Sequence, residues 1–208
     1  MKKIDVLKAI MRERLIAVVR ADSCDETVRI SNACIAGGIK LIEITFTTPL
    51  AHRAIETLSA KHSCNGVFIG AGTVLDSETA RIAILSGADF VVCPNINLNS
   101  IELCNRYGTV CIPGAVTVSE ITSAMEKGAD IIKLFPADTY TPSIIKALKA
   151  PLPNANIMPT GGITAENASE WLKAGAVAVG AGGKLTCGTD KEIEEKARIF
   201  IQSVYNIK

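Results

Sequence analysis

The sequence predicts a single-domain α/β protein, a (β/α)8 TIM barrel over residues 1–208 with a short helix at 4–12 ahead of the first strand. Three observations predict it. Eight short apolar runs recur, at 15–20, 40–47, 67–73, 90–94, 110–113, 131–136, 156–160 and 177–180. Their centres lie about 20 to 26 residues apart, the length of one strand-plus-helix unit. The runs are nearly continuous rather than alternating, as in a parallel sheet covered by helices. Eight near-equal units favour a closed barrel over an open doubly wound sheet, because eight strands suffice to close it.

The segments between the runs place apolar residues at three- and four-residue spacing, which predicts helices over 26–36, 52–62, 77–85, 98–106, 118–127, 143–149, 165–173 and 191–205. Gly37-Gly38, Gly87, Gly128 and Gly175 each follow a helix and precede a strand, where a left-handed residue closes the last helical turn. Asp76, Ser77 and Thr164 stand at N-cap positions. The glycines of GAGT and GAGG do not fit G-x-G-x-x-G, so a dinucleotide fold loses support.

Composition excludes several classes of function. With 22 basic and 21 acidic residues the net charge is +1, which offers nucleic acid or a membrane surface nothing to attract it. Aromatic residues make up 4%, too few for a base-stacking platform, and 48% apolar content excludes intrinsic disorder. No run approaches the roughly 20 apolar residues of a membrane span. The first residues mix charge through their apolar positions, unlike a signal peptide, so a cytoplasmic protein is expected. The seven cysteines (24, 34, 64, 93, 104, 111, 187) form no C-x-x-C and read as free, mostly buried thiols of a reducing compartment. His52 and His62 read as surface residues of one helix, and no converging ligand set implies a metal.

In such barrels the active site lies at the C-terminal ends of the strands, so polar residues there carry the functional signal. Lys133 lies in the apolar run IIKLF. Burial disfavours the ammonium, and a neutral amine in a dry pocket is the form that attacks carbonyls. Glu43 lies in LIEITFT, where two-residue periodicity puts Glu43, Thr45 and Thr47 on one face. A carboxylate near the reactive end can move protons, and each buried charge makes the other less expensive to bury. Three glycine-rich strand ends, 70–73, 160–162 and 180–183, let backbone approach an anion, and the last two follow strands 7 and 8, where barrels often hold phosphate. Asp138 follows the sixth strand and either reaches the site or caps the next helix.

With these residues in hand, the chain resembles the class I aldolases typified by 2-keto-3-deoxy-6-phosphogluconate (KDPG) aldolase, whose relatives act on 2-keto-4-hydroxyglutarate (KHG). The likeness runs nearly end to end, through VVRADS, GGIKLIEITFTTP, GAGTVLD, CIPGAVTVSE, KLFPAD, MPTGGI and AVGAGGKL. The resemblance implies a Schiff-base lysine at Lys133 and an acid/base residue at Glu43. It implies that Thr73 contacts the keto acid and that Pro94 and Phe135 line the pocket. Thr160, Gly161 and Gly162 match a substrate-binding segment, and Gly182 with Gly183 matches the phosphate loop. A homotrimer that uses keto acid and aldehyde substrates, with no cofactor or metal, is implied too.

Two positions depart from the pattern. Thr47 stands where many members carry an arginine that clamps the pyruvate carboxylate, and Arg20, at the end of the first strand, is the cation placed to replace it. Gly183 stands where many members have a phosphate-binding serine, which weakens the case for a phosphorylated aldehyde. Taken without the resemblance, the residues also fit a phosphate-binding isomerase or synthase in which Lys133 is only a cation, or a non-catalytic sugar-acid-binding barrel.

Overall fold

The computed structural model describes residues 2–62 and 65–205. Helix α1 (Lys2–Glu13) comes first. Strands β1 (Leu15–Val19), β2 (Leu41–Thr45), β3 (Phe68–Gly72) and β4 (Phe90–Val92) alternate with helices α2 (Cys24–Ala36), α3 (Ala51–His62) and α4 (Ser77–Leu85). Then follow α5 (Leu98–Arg106), β5 (Val110–Ile112), α6 (Val118–Glu126), β6 (Ile132–Leu134), a 3-10 turn (Ala137–Thr139) and α7 (Ser143–Lys149). The chain finishes with β7 (Ile157–Pro159), α8 (Ala168–Lys173), β8 (Val179–Ala181), α9 (Gly183–Thr186) and α10 (Asp190–Tyr205).

All strand pairings are parallel. Six strands run in the order β5-β4-β3-β2-β1-β8, and β6 pairs with β7. Single bridges, Gly114 with Lys133 and Thr160 with Gly180, join the two sheets and complete the circuit. At the first seam the Lys133 amide donates to the Pro113 carbonyl at 2.8 Å, and the Ala115 amide to the Lys133 carbonyl at 2.9 Å. The result is a TIM-barrel-like fold, as the strand count and spacing predict.

Two buried layers hold it together. Outward residues such as Ala17, Ile42, Ile44, Ile69, Val91 and Leu134 pack with helix residues including Ile55, Leu58 and Ile101. A second cluster fills the barrel itself, with Ile16, Leu41, Phe90, Val110, Ile131 and Met158 among its members. Val6, Ala9 and Ile10 of α1 belong to this inner cluster, so the first helix plugs the N-terminal mouth. Lys2 pairs with Asp89 and Lys3 with Asp130, both at 2.7 Å, pinning the plug to residues just ahead of β4 and β6.

The helix stops are as expected. Gly38, Gly87, Gly128 and Gly175 all hold positive φ, between 88° and 110°, just after their helices. Asp76 caps α4, its carboxylate accepting the Thr79 amide at 2.6 Å, whereas Ser77 is already helical and its hydroxyl turns to Glu78. The helix expected at 165–173 begins only at Ala168, because Thr164 and Asn167 bond to each other and hold 165–167 as a turn. The second strand stops at Thr45, where the chain turns and the Thr48 amide returns to the Thr45 carbonyl at 3.0 Å. Helix α9 and the 3-10 turn carry too few residues for periodicity to reveal.

Four of the cysteines, Cys34, Cys93, Cys104 and Cys111, are buried free thiols, and burial pushes Cys34 up to about 12. Cys24 is half-buried, Cys187 is exposed, and Cys64 lies outside the described residues. Among the described residues no helix is long and apolar enough to cross a membrane.

Candidate active site

The inner cluster fixes which residues of each strand face the barrel interior, since side chains alternate with a period of two. Ile16 points in, and so do Val18 and Arg20 beyond it. From Leu41 the series continues to Glu43 and Thr45, from Ile131 to Lys133 and Phe135, and from Met158 to Thr160. The same alternation takes Phe90 and Val92 to Pro94, and Ala178 to Gly180 and Gly182. Apolar members fill the N-terminal half, and the polar and glycine members lie in the C-terminal half, beside Val18, Pro94 and Phe135. That switch creates a site at one end of an otherwise packed barrel.

Glu43 is 0% exposed and Lys133 4%. The lysine ammonium lies 3.7 Å from Glu43 Oε1, close enough to attract and too far for a good hydrogen bond. Neither carboxylate oxygen has a hydrogen-bond partner. The same ammonium lies 4.9 Å from the centroid of the Phe135 ring, within cation–π range. Ionised groups buried with incomplete partners cost several kcal/mol each in effective desolvation, roughly offset only when geometry and hydrogen bonds are good. Here one lysine and one glutamate are left with hydrogen-bonding capacity that a ligand can complete.

Small residues make the room. A methyl group on Gly72 would overlap the Glu43 carboxylate, and one on Gly180 would overlap the Thr160 hydroxyl. Thr160 is 6% exposed, and its Oγ1 is also without a partner. Gly161 and Gly162 hold φ of 104° and 66°, so this loop presents bare backbone in a conformation that side chains rarely adopt.

A cavity of about 380 Å³ opens beside these groups, within the usual size of a small-molecule site. Of the residues singled out in the sequence, Arg20, Phe135, Thr160, Gly161, Gly162, Gly182 and Gly183 line it. Lys133 and Glu43 are not among the lining residues, but Phe135, which lies against the Lys133 ammonium, is. Thr73, Pro94 and Thr47 are not part of the wall. Thr73 is half-buried at φ 55°, just past Gly72, and Pro94 is half-buried with its carbonyl against Gly114. Thr47 is exposed beyond the end of β2, and its hydroxyl donates to Thr45 Oγ1 at 3.0 Å. Asp138 packs beside Gly161 and Gly162, exposed in the 3-10 turn.

Val18, Ile163, Lys184 and Thr186 also line the cavity and were not singled out. Val18 was readable from its two-residue spacing to Arg20. Lys184 and Thr186 sit in α9, which has no pattern of its own. His62 corrects the surface reading: it is buried, its Nε2 lies 3.1 Å from Asn32 Oδ1 on α2, and burial with Lys61 and Lys40 nearby holds it below the usual histidine range. Among the described residues no group of three or more His, Cys, Asp or Glu could hold a metal ion.

Comparison with known proteins agrees with this architecture. The family model described as KDPG and KHG aldolase matches residues 6–201. The 2-dehydro-3-deoxy-phosphogluconate aldolase of Treponema pallidum is 36% identical over 81% of this chain and 80% of its own. The 2-dehydro-3-deoxy-6-phosphogalactonate aldolase of Escherichia coli is 35% identical over 82% and 83%. A KDPG aldolase from Legionella pneumophila, solved with pyruvate captured at low pH as a covalent carbinolamine intermediate, superposes with a TM-score of 0.80 at 25% identity, covering 96% of each chain. With the matched family model spanning nearly the whole barrel, this chain belongs to the KDPG and KHG aldolase family.

Proposed function

We propose that this protein is a class I aldolase that cleaves 2-dehydro-3-deoxy-6-phosphogluconate to pyruvate and glyceraldehyde 3-phosphate. It also cleaves 4-hydroxy-2-oxoglutarate to pyruvate and glyoxylate. The observation that carries this reading is the buried Lys133 ammonium 3.7 Å from a Glu43 carboxylate that has no other partner. That arrangement suits a nucleophile and a proton carrier acting on the same ligand. The carbinolamine of pyruvate in the Legionella relative supports the same chemistry.

Lys133 passes its ammonium proton to the Glu43 carboxylate, and the neutral amine so formed attacks the 2-keto carbon to give a carbinolamine. Glu43 delivers a proton to its hydroxyl, which leaves as water, and the protonated imine forms. The Glu43 carboxylate then takes the C4 hydroxyl proton. As the C4 carbonyl forms, the C3–C4 bond breaks and its electron pair flows into the imine, leaving a pyruvate enamine and a free aldehyde. Glu43 returns its proton to C3, and water hydrolyses the protonated imine to release pyruvate and restore the Lys133 ammonium. The protonated imine is itself the electron sink, so no step calls for a metal or cofactor.

In this assignment Arg20 takes the substrate carboxylate in place of the arginine missing at Thr47, while Thr73, Pro94 and Phe135 surround the keto acid. Thr160, Gly161, Gly162, Gly182 and Gly183 enclose the tail. The test is borohydride reduction in the presence of pyruvate followed by peptide mapping. A reduced pyruvyl adduct on Lys133, absent in Lys133→Met, is the expected result. Pyruvate binding without an adduct removes the imine and leaves an isomerase or synthase in which Lys133 is only a cation.

A further inference from the structure

The charge of the cavity wall points beyond the reaction class to the aldehyde. The wall contains two cations, Arg20 and Lys184, and no carboxylate. Neither cation forms an ion pair or side-chain hydrogen bond among the described residues, so both charges remain available to a ligand. Lys184 also borders a neighbouring cavity of about 270 Å³ that includes Glu166. That glutamate is held below the usual carboxylate range chiefly by the Thr164 hydroxyl, with Lys184 the last of its influences. No ion pair joins Glu166 to Lys184 among the described residues.

The two cations stand on different elements. Arg20 continues β1, and Lys184 belongs to α9 beyond the glycines that follow β8. The position just before Lys184 is Gly183, where an added Cβ would meet nothing within 4 Å, so the wall there is open. A keto acid bearing a phosphorylated tail is anionic at both ends. This wall supplies two cations for those two charges.

Resting on the aldolase reading, we infer that Lys184 is a specificity-determining residue that binds the phosphate of the aldehyde portion, a role Gly183 cannot fill with a side chain. Arg20 remains with the carboxylate. Lys184 thereby selects a phosphorylated three-carbon aldehyde over its neutral counterpart, with backbone at Gly182 and Gly183 forming the adjoining wall. Gly183 alone argues for a weaker phosphate site; the lysine beside it reverses that expectation.

The test measures condensation of saturating pyruvate with glyceraldehyde 3-phosphate, glyceraldehyde or glyoxylate, using wild type, Lys184→Met and Lys184→Arg. Loss of one charge-assisted contact raises KM for the phosphorylated aldehyde by about tenfold to a hundredfold in Lys184→Met. The expected result leaves kcat and the KM values for glyceraldehyde and glyoxylate within about twofold, while Lys184→Arg recovers most of the phosphate preference. Glyoxylate places its carboxylate directly beside the carbonyl, so a rise in its KM alone would assign Lys184 to that carboxylate and overturn the inference. Equal rises for all three aldehydes, or none, would overturn it too. Borohydride trapping with pyruvate, which has no aldehyde tail, keeps the two readings separate. An adduct on Lys133 with flat KM values defeats only the role of Lys184, and no adduct in wild type defeats the aldolase reading itself.

Discussion

Replacing Glu43 by Gln keeps the volume that Gly72 leaves open and removes the side chain's ability to carry a proton. If Glu43 accepts and returns protons through the cycle, Glu43→Gln lowers kcat by about 10²- to 10⁴-fold, the usual contribution of general acid–base catalysis. The pyruvyl adduct on Lys133 should still form, but more slowly, since nucleophilic attack itself does not need the carboxylate. Steady-state kinetics and timed borohydride trapping separate the two effects, and unchanged turnover would remove Glu43 from the mechanism. Lys133 and Glu43 were legible in sequence because a charge inside an apolar run is an anomaly whatever the fold. His62 was not legible, because its burial depends on Asn32, which reaches it from a different helix.

Elements test the local signals. Asp76 accepts the Thr79 amide at the start of α4, and that bond holds its carboxyl below the ordinary 3.8. Asp76→Ala should cost about 1 kcal/mol, the typical worth of an N-cap, measured by denaturant unfolding at neutral pH. A carboxylate with a lowered folded-state pKa contributes stability that is present above its unfolded value and lost as pH falls through the folded one. The difference between wild type and Asp76→Ala should therefore hold above about pH 4 and shrink below it. A gap that persisted at pH 2 would mean the side chain acts by packing instead. Strand β3 offers a second test. A methyl on Gly70 would overlap the Phe90 ring, which is fully buried inside the barrel. Gly70→Ala should cost about 1–3 kcal/mol and lower Tm by roughly 2–12 °C, because an overpacked interior cannot relax freely. The Asp76 cap and the glycine stops were readable locally, while strand ends were not: β2 ends where Thr48 turns back on Thr45, a choice made by the loop.

For the whole molecule, the resemblance that implies an aldolase also implies a homotrimer, and the association we propose is three copies of this 22.0 kDa chain. Sedimentation equilibrium should return three times that mass, and a single-chain mass at micromolar concentration would remove the trimer. Sequence alone determined the number of β-α units, the parallel sheet and the two buried charges, since periodicity and misplaced polarity are properties of neighbours along the chain. Tertiary structure decided what no neighbour specifies. It closed the barrel through single bridges at Lys133 and Thr160, set α1 as the plug of one mouth, and brought Arg20 and Lys184 to one wall from opposite ends of the sequence. Distance along the chain carries no information about such meetings. They follow from closing the sheet, which turns strands one and eight into neighbours and gives their loops a common cavity.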